Sequence, residues 1–203
     1  MARALDAHSI IGKDLDSLAD DVSFGVAPSL IVFSLFKEMD YSGAMESLAG
    51  VFPYLAFLLS VFSALRLAKF NNDTRQTSSF VGLPVPANAL FWASLVTGAH
   101  DWLVSSNFHP VYLLLLVCLF SWLLVSEIPM FSLKFKNLSW KDNKTSFIFL
   151  LVCIPFLIFL GICSFSAIIV WYILLSLITR KSKYTNLWQG CCIDVRRKRT
   201  HKN

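Results

Sequence analysis

Residues 147–178 read FIFLLVCIPFLIFLGICSFSAIIVWYILLSLI, with no charged side chain along the whole run. A helix needs about 20 apolar residues to cross the hydrocarbon core of a bilayer. The run is too long for one straight crossing. Gly161 and Ser164 near its middle predict a tight hairpin of two short spans, at 147–161 and 164–179. A single long helix is the alternative, because excess length can be absorbed by tilt. Both readings put the segment in a membrane. The rest of the chain agrees: 56% of its 203 residues are hydrophobic, 15% are charged, and the mean hydropathy is +0.61. A soluble domain of this size carries roughly a quarter charged residues. A chain this short cannot hide so much apolar surface in one soluble core. Its 18 Phe, 6 Trp and 5 Tyr suit lipid-facing and interfacial positions.

Four more apolar segments lie upstream. The first starts near Gly12 and ends in VSFGVAPSLIVFSLFK (22–37); the others are 46–68, 87–104, which Gly98 interrupts, and 110–127. The expected fold class is all-α, a polytopic transmembrane helix bundle of about six spans. Basic residues orient it. Arg66, Lys69 and Arg75 close the second span, and Lys134, Lys136, Lys141 and Lys144 follow the fourth. Arg180, Lys181, Lys183 and the cluster Arg196, Arg197, Lys198, Arg199 fill the tail. The opposite loops hold Lys37 beside Glu38 and Asp40, and Asp101 with no Lys or Arg. With six spans, all three basic regions share one side, which the positive-inside rule makes cytoplasmic together with residues 1–20. A membrane domain is expected over 1–179 and a basic cytoplasmic tail over 180–203. The net charge of +5 reads as anchorage to anionic membrane lipids, not as a nucleic-acid surface. Cys118, Cys153 and Cys163 sit in apolar runs as small hydrophobes. Cys191 and Cys192, adjacent in the tail, have no zinc-site or disulfide spacing.

The chemistry concentrates near the start. Asp16 and Asp20 are four residues apart, so a helix carries both carboxylates on one face, one turn apart. Gly12 lies one turn earlier on that face and leaves room for a ligand to approach the backbone. Carboxylates at the mouth of a membrane helix are costly unless solvated or paired with cations. Two stacked beside a glycine suit a hard divalent cation that grips a phosphate-bearing substrate. Acidic residues in a first helical turn also favour the helix dipole and need no function. Spacing alone does not separate these two readings.

A larger pattern does. Ala2-Arg3, eight residues, Gly12, Asp16 and Asp20 follow the second half of D-x-x-D-G-x-x-A-R-x8-G-x-x-x-D-x-x-x-D, with both gaps correct. In this the chain resembles the CDP-alcohol phosphatidyltransferase family. GKDLDSLADDVSFGVAP, RLAKFN (66–71) and FVGLPVPAN (80–88) are similar to its bacterial serine-transferring branch. The resemblance implies transfer of a phosphatidyl group from CDP-diacylglycerol to L-serine, with Mg²⁺ or Mn²⁺ as cofactor, in the bacterial inner membrane. It implies that Asp16 is a metal ligand, that Asp20 is the general base on the incoming alcohol, that Arg3 contacts the nucleotide and that Gly12 leaves room for cytidine. A homodimer is compatible with it. Arg66 or Lys69 is expected to hold the phosphate or the serine carboxylate, with Asn71 and Asn88 as polar neighbours; plain positive-inside anchoring is the alternative. The family's D-x-x-D-G and two further spans lie upstream of the Ala-Arg pair. Here Ala2 follows Met1, so they are expected to be missing, through a start placed at an internal Met or a true truncation. A sister transferase with another acceptor alcohol, a catalytically inactive membrane protein and a transporter are the competing readings. His100 and Asp101 are expected to be interfacial polar residues.

Overall fold

The computed structural model describes residues 10–41, 43–72, 80–105, 107–130 and 144–178. They form a helical bundle. Helix α1 (Ile10–Asp21) runs through a π turn (Val22–Val26) into α2 (Ala27–Glu38). Pro28 explains the π turn: a proline has no amide hydrogen and crowds the carbonyl four residues back. The wider turn takes up the conflict, with the Ala27 amide donating to the Val22 carbonyl. Two 3₁₀ turns, Gly43–Leu48 and Phe52–Phe57, lead into α3 (Leu58–Asn72). Helix α4 (Val85–Val104) follows GLPVPAN, with Pro84 at its cap and Pro86 in its first turn, where a missing amide costs nothing. It kinks at Ala99 (φ −128°, ψ 22°). Helix α5 (Pro110–Val125) is apolar but for Tyr112 and Ser121, and α6 (Lys144–Leu160) is apolar from Phe147 onward. A 3₁₀ turn, Gly161–Cys163, joins α6 to α7 (164–178).

Among the described residues three stretches are long and apolar enough to cross a membrane: Leu15–Glu38, Phe52–Asn71 and Ser146–Ile178. The last is not straight. Gly161 has φ +54°, and the Phe149 and Tyr172 rings meet with centroids 6.1 Å apart. In a straight helix those residues would stand about 34 Å apart. The run therefore folds back on itself at Gly161, where the sequence places its hairpin.

Contacts at several depths fix the helix directions. α1–α2 and α3 are antiparallel, from the hydrogen bond of Asn71 to Ser17 at one end, past Gly25 against Ser63, to Phe33 on Phe57 and Phe36 on Phe52 at the other. α2 and α4 are parallel, joined at their far ends by Glu38 and His100. α5 is antiparallel to α4, with Phe91 stacked on Phe120 at 4.0 Å, and its C-terminal end reaches α3 through Lys69 and Glu127. α7 is antiparallel to α4, with Ser166 hydrogen-bonded to Ser94 and Cys163 against Gly98. The core sits between these helices, around fully buried Trp92, Phe36, Leu35, Leu59, Leu113 and Val117. Outward faces are equally apolar; Phe159 is 81% exposed and Ile158 72%. That inversion of a soluble surface is what a lipid solvent requires. Among the described residues the one strand pairing is a two-residue antiparallel ladder, Phe80–Val81 with Pro129–Met130. Gly82 turns there with φ +75°, its amide bonded to the Ile128 carbonyl at 2.9 Å.

Candidate active site

The Asp-bearing end of α1 and the C-terminal end of α3 come together at one mouth of the bundle. Asp16 is exposed and Asp20 half-buried, one turn apart on α1, with exposed Gly12 a turn before them. Neither carboxylate has a hydrogen bond or ion pair among the described residues. Ser17, beside Asp16, accepts a hydrogen bond from the Asn71 amide nitrogen at 2.8 Å. That bond pins the RLAKFN segment to the helix that carries the acidic pair. Sequence reasoning placed Asn71 near the site but missed Ser17, whose only signal is its place on the α3-facing side of α1.

Two cations on α3 have different surroundings. Lys69 lies at the surface, its ammonium 3.0 Å from Glu127 Oε1, and both side chains are well exposed. Arg66, one turn deeper, is 8% exposed. Its Nε is buried without a hydrogen-bond partner, and no carboxylate pairs with the guanidinium among the described residues. An intramembrane cation left unpaired is costly. Asp21 points elsewhere around the helix: its Oδ1 is buried against Gly25, a residue whose missing side chain lets α1–α2 close on Ser63. Asn88 is buried and accepts from Trp92 Nε1 at 3.2 Å. His100 lies at the opposite end, bonded to Glu38 at 2.8 Å, far from the Asp pair.

Asp16 and Asp20 fit a hard divalent cation as two of its oxygen ligands: both are carboxylates on one face, without a partner among the described residues. Such a cation takes about six to eight oxygens, and among the described residues no third His, Cys, Asp or Glu joins them. Arg3 and Arg75, the cations between Lys134 and Lys141, and the tail 180–203 lie outside the described residues.

A family model for CDP-alcohol phosphatidyltransferases matches residues 1–180. The chain belongs to the CDP-alcohol phosphatidyltransferase family. It is 31% identical over 196 residues to a CDP-diacylglycerol–serine O-phosphatidyltransferase of Helicobacter pylori, covering 90% of this chain and 77% of that protein. It is 35% identical over 127 residues to the protein of that name from Bacillus subtilis, covering 63% of this chain and 62% of that protein. An archaetidylserine synthase of Methanothermobacter thermautotrophicus is 35% identical over 98 residues, which is 48% of this chain and 38% of that protein. Gly12, Asp16 and Asp20, the part of the pattern within the described residues, lie on α1. The membrane setting and the helical fold are those the sequence implies.

Proposed function

We propose that this chain catalyses transfer of a phosphatidyl group from CDP-diacylglycerol to L-serine, releasing CMP and giving phosphatidylserine. The observation that carries the reading is the unpartnered Asp16–Asp20 face, set at the mouth of a membrane bundle and tied by Ser17 and Asn71 to a helix with a buried cation. Relatives named for this reaction, matched at 31% and 35% identity, support it. A bound Mg²⁺ or Mn²⁺ would neutralise charge on the diphosphate and the departing CMP. Asp16 contributes a carboxylate to that cation. Asp20 takes the proton from the serine hydroxyl as its oxygen bonds to the lipid-bearing phosphorus and the bond to CMP breaks. Arg3 and Gly12 serve the nucleotide, and Arg66 takes an anionic group of a substrate; Lys69, paired with Glu127, serves as a surface anchor or a second contact.

The reading includes about six crossings, counting the α6–α7 hairpin as two short ones. It places the Asp mouth and the tail 180–203 on the cytoplasmic side of a bacterial inner membrane, the tail against anionic lipid, with a homodimer as the assembly. The test is CMP release from CDP-diacylglycerol by the purified 203-residue chain in liposomes with L-serine and Mg²⁺ or Mn²⁺. Asp20→Asn is expected to lower the rate by roughly 10²–10⁴-fold, the usual worth of a general base. An unchanged rate removes Asp20 from that role.

A further inference from the structure

Several helices of the bundle are short for a bilayer. α5 has 16 residues and α6 has 17, so they span about 24 and 25 Å. Polar residues close both ends of α5, His109 at one and Ser126 with Glu127 at the other. Along α1–α2, Asp20 and Glu38 lie about 27 Å apart by helical rise. Tilt only lowers these depths. A typical hydrocarbon core is about 30 Å thick, so the apolar belt of the bundle is too thin for it by about 3–6 Å.

The two rims of that belt differ. On the far rim, where His100 bonds Glu38, three amphipathic rings face outward: Tyr54 is 65% exposed, Trp102 61% and Tyr112 59%. They belong to three elements, the 3₁₀ turn ahead of α3, α4 and α5. Phe rings back them. Trp102 meets Phe108 with centroids 4.8 Å apart, Phe108 meets Tyr112 at 5.9 Å, and Tyr54 meets Phe33 at 5.5 Å. Charged side chains lie close by, with Asp101 next to Trp102 in α4. Trp and Tyr rings in such a setting settle at the level of the lipid headgroups, where an apolar body and a polar tip are both accommodated. Division among three elements suits a continuous lipid surface better than one partner helix. On the mouth rim, the only strongly exposed Trp or Tyr among the described residues is Trp122, a turn inside Ser126. The far rim therefore grips the membrane more firmly, and the mismatch in thickness falls on the mouth.

We propose that Tyr54, Trp102 and Tyr112 form a lipid-interface anchor that sets how deep the Asp-bearing mouth lies, so that the protein works best in a thin bilayer. In a thick bilayer the anchored bundle carries Asp16 and Asp20 below the level of the lipid phosphates. The membrane must then thin around the mouth before a lipid-borne diphosphate can meet the two carboxylates, and thinning costs free energy for each ångström. A matched bilayer removes that cost. The effect on rate rests on the transferase reading; the anchor itself rests on the bundle alone.

The test places the 203-residue chain, labelled with 5-fluorotryptophan, in nanodiscs of dimyristoleoyl, dioleoyl or dierucoyl phosphatidylcholine. Trp102→Phe identifies the Trp102 ¹⁹F resonance by its loss. That resonance is expected to broaden most with a nitroxide on the lipid headgroup, and less with one at the acyl-chain end or with a nickel chelate in the water. Strongest broadening by the chain-end nitroxide puts the ring in the hydrocarbon and overturns the anchor. Strongest broadening by the nickel chelate puts it in water, and broadening by none of the probes means that protein covers it; either result overturns the anchor too. CMP release is then followed with L-serine, Mg²⁺ and one CDP-diacylglycerol at a fixed small fraction of the lipid. The rate is expected to be about 3- to 10-fold higher in dimyristoleoyl than in dierucoyl bilayers. The double variant Trp102→Ala, Tyr112→Ala should reduce that ratio to under about twofold. Equal melting temperatures in detergent show that it folds; where it does not, Tyr112→Ala alone carries the comparison and lowers the ratio in part. A wild-type rate indifferent to thickness overturns the proposal, as does an undiminished ratio in the variants. CMP release in none of the bilayers overturns the transferase reading, and the ¹⁹F measurement still decides the anchor.

Discussion

Gly98→Ala tests whether the α6–α7 hairpin is seated where its tip meets α4. A Cβ at position 98 would lie 2.9 Å from the amide nitrogen of Cys163 and 3.3 Å from its Cα, and would overlap its Sγ. The sulfur can swing aside by rotation about χ1. The amide nitrogen cannot move without carrying the whole 3₁₀ turn Gly161–Cys163 with it. Apolar solvent gives membrane helices little drive to associate, so they depend on close backbone approach at small residues. Overpacking such a contact costs about 1–3 kcal/mol. Gly98→Ala should lower stability by that amount, read as a shift in SDS-induced unfolding of the protein in mixed micelles followed by tryptophan fluorescence. Two companions separate sulfur from backbone. Cys163→Ala alone loses a small packing contribution, about 1 kcal/mol. The double variant Gly98→Ala, Cys163→Ala should still be less stable than Cys163→Ala, because the backbone overlap persists. Equal stability of those two would show that the sulfur alone was in the way. A Gly98→Ala variant as stable as the wild type would refute the seating of the hairpin.

Other outcomes follow from single contacts. Gly82→Ala places a side chain on a residue with φ +75° and sets its Cβ 2.8 Å from the Leu124 carbonyl and 2.9 Å from that of Ser126; a loss of about 1–3 kcal/mol in the same unfolding assay is expected from strain of this kind. Lys69→Ala removes an exposed ion pair with Glu127, so a change of at most about 1 kcal/mol and an unaltered serine KM are expected; a raised serine KM would assign Lys69 to the acceptor. Asp16→Asn should raise the Mg²⁺ or Mn²⁺ concentration needed for half-maximal CMP release, because a hard cation depends on charged oxygens; an unshifted requirement removes Asp16 as a ligand.

The sequence states the bundle more clearly than it states the seating of its helices, for physical reasons. Long apolar runs such as 147–178 have no stable setting but a membrane, and a glycine in the middle of a run too long for one crossing is a natural place to turn. The Gly12, Asp16 and Asp20 spacing is likewise local, because a helix converts a four-residue interval into a shared face. The seating of α7 could not be read in this way, because it follows only from Ser166 on Ser94 and Cys163 on Gly98. The π turn at Val22–Val26 was equally hidden. Pro28 signals some disturbance of its helix, but not whether a kink, a break or a wider turn absorbs it.

Arg66 and Lys69 show why one motif can hold two different roles. They are three residues apart on α3, carry the same formal charge, and from the sequence alone are interchangeable candidates for binding an anion. A one-turn difference in depth separates them. At the surface Lys69 is hydrated and meets Glu127, and a pair of that kind is worth at most about 1 kcal/mol. It can be lost or replaced with little consequence. Arg66 is 8% exposed and unpaired, in a setting where water cannot screen its charge. A buried cation without a partner among the described residues is costly, and under the proposed function that cost is offset when a substrate anion arrives. Under the same reading a buried guanidinium orients the anion with two parallel bonds, whereas a hydrated surface lysine attracts it without orienting it.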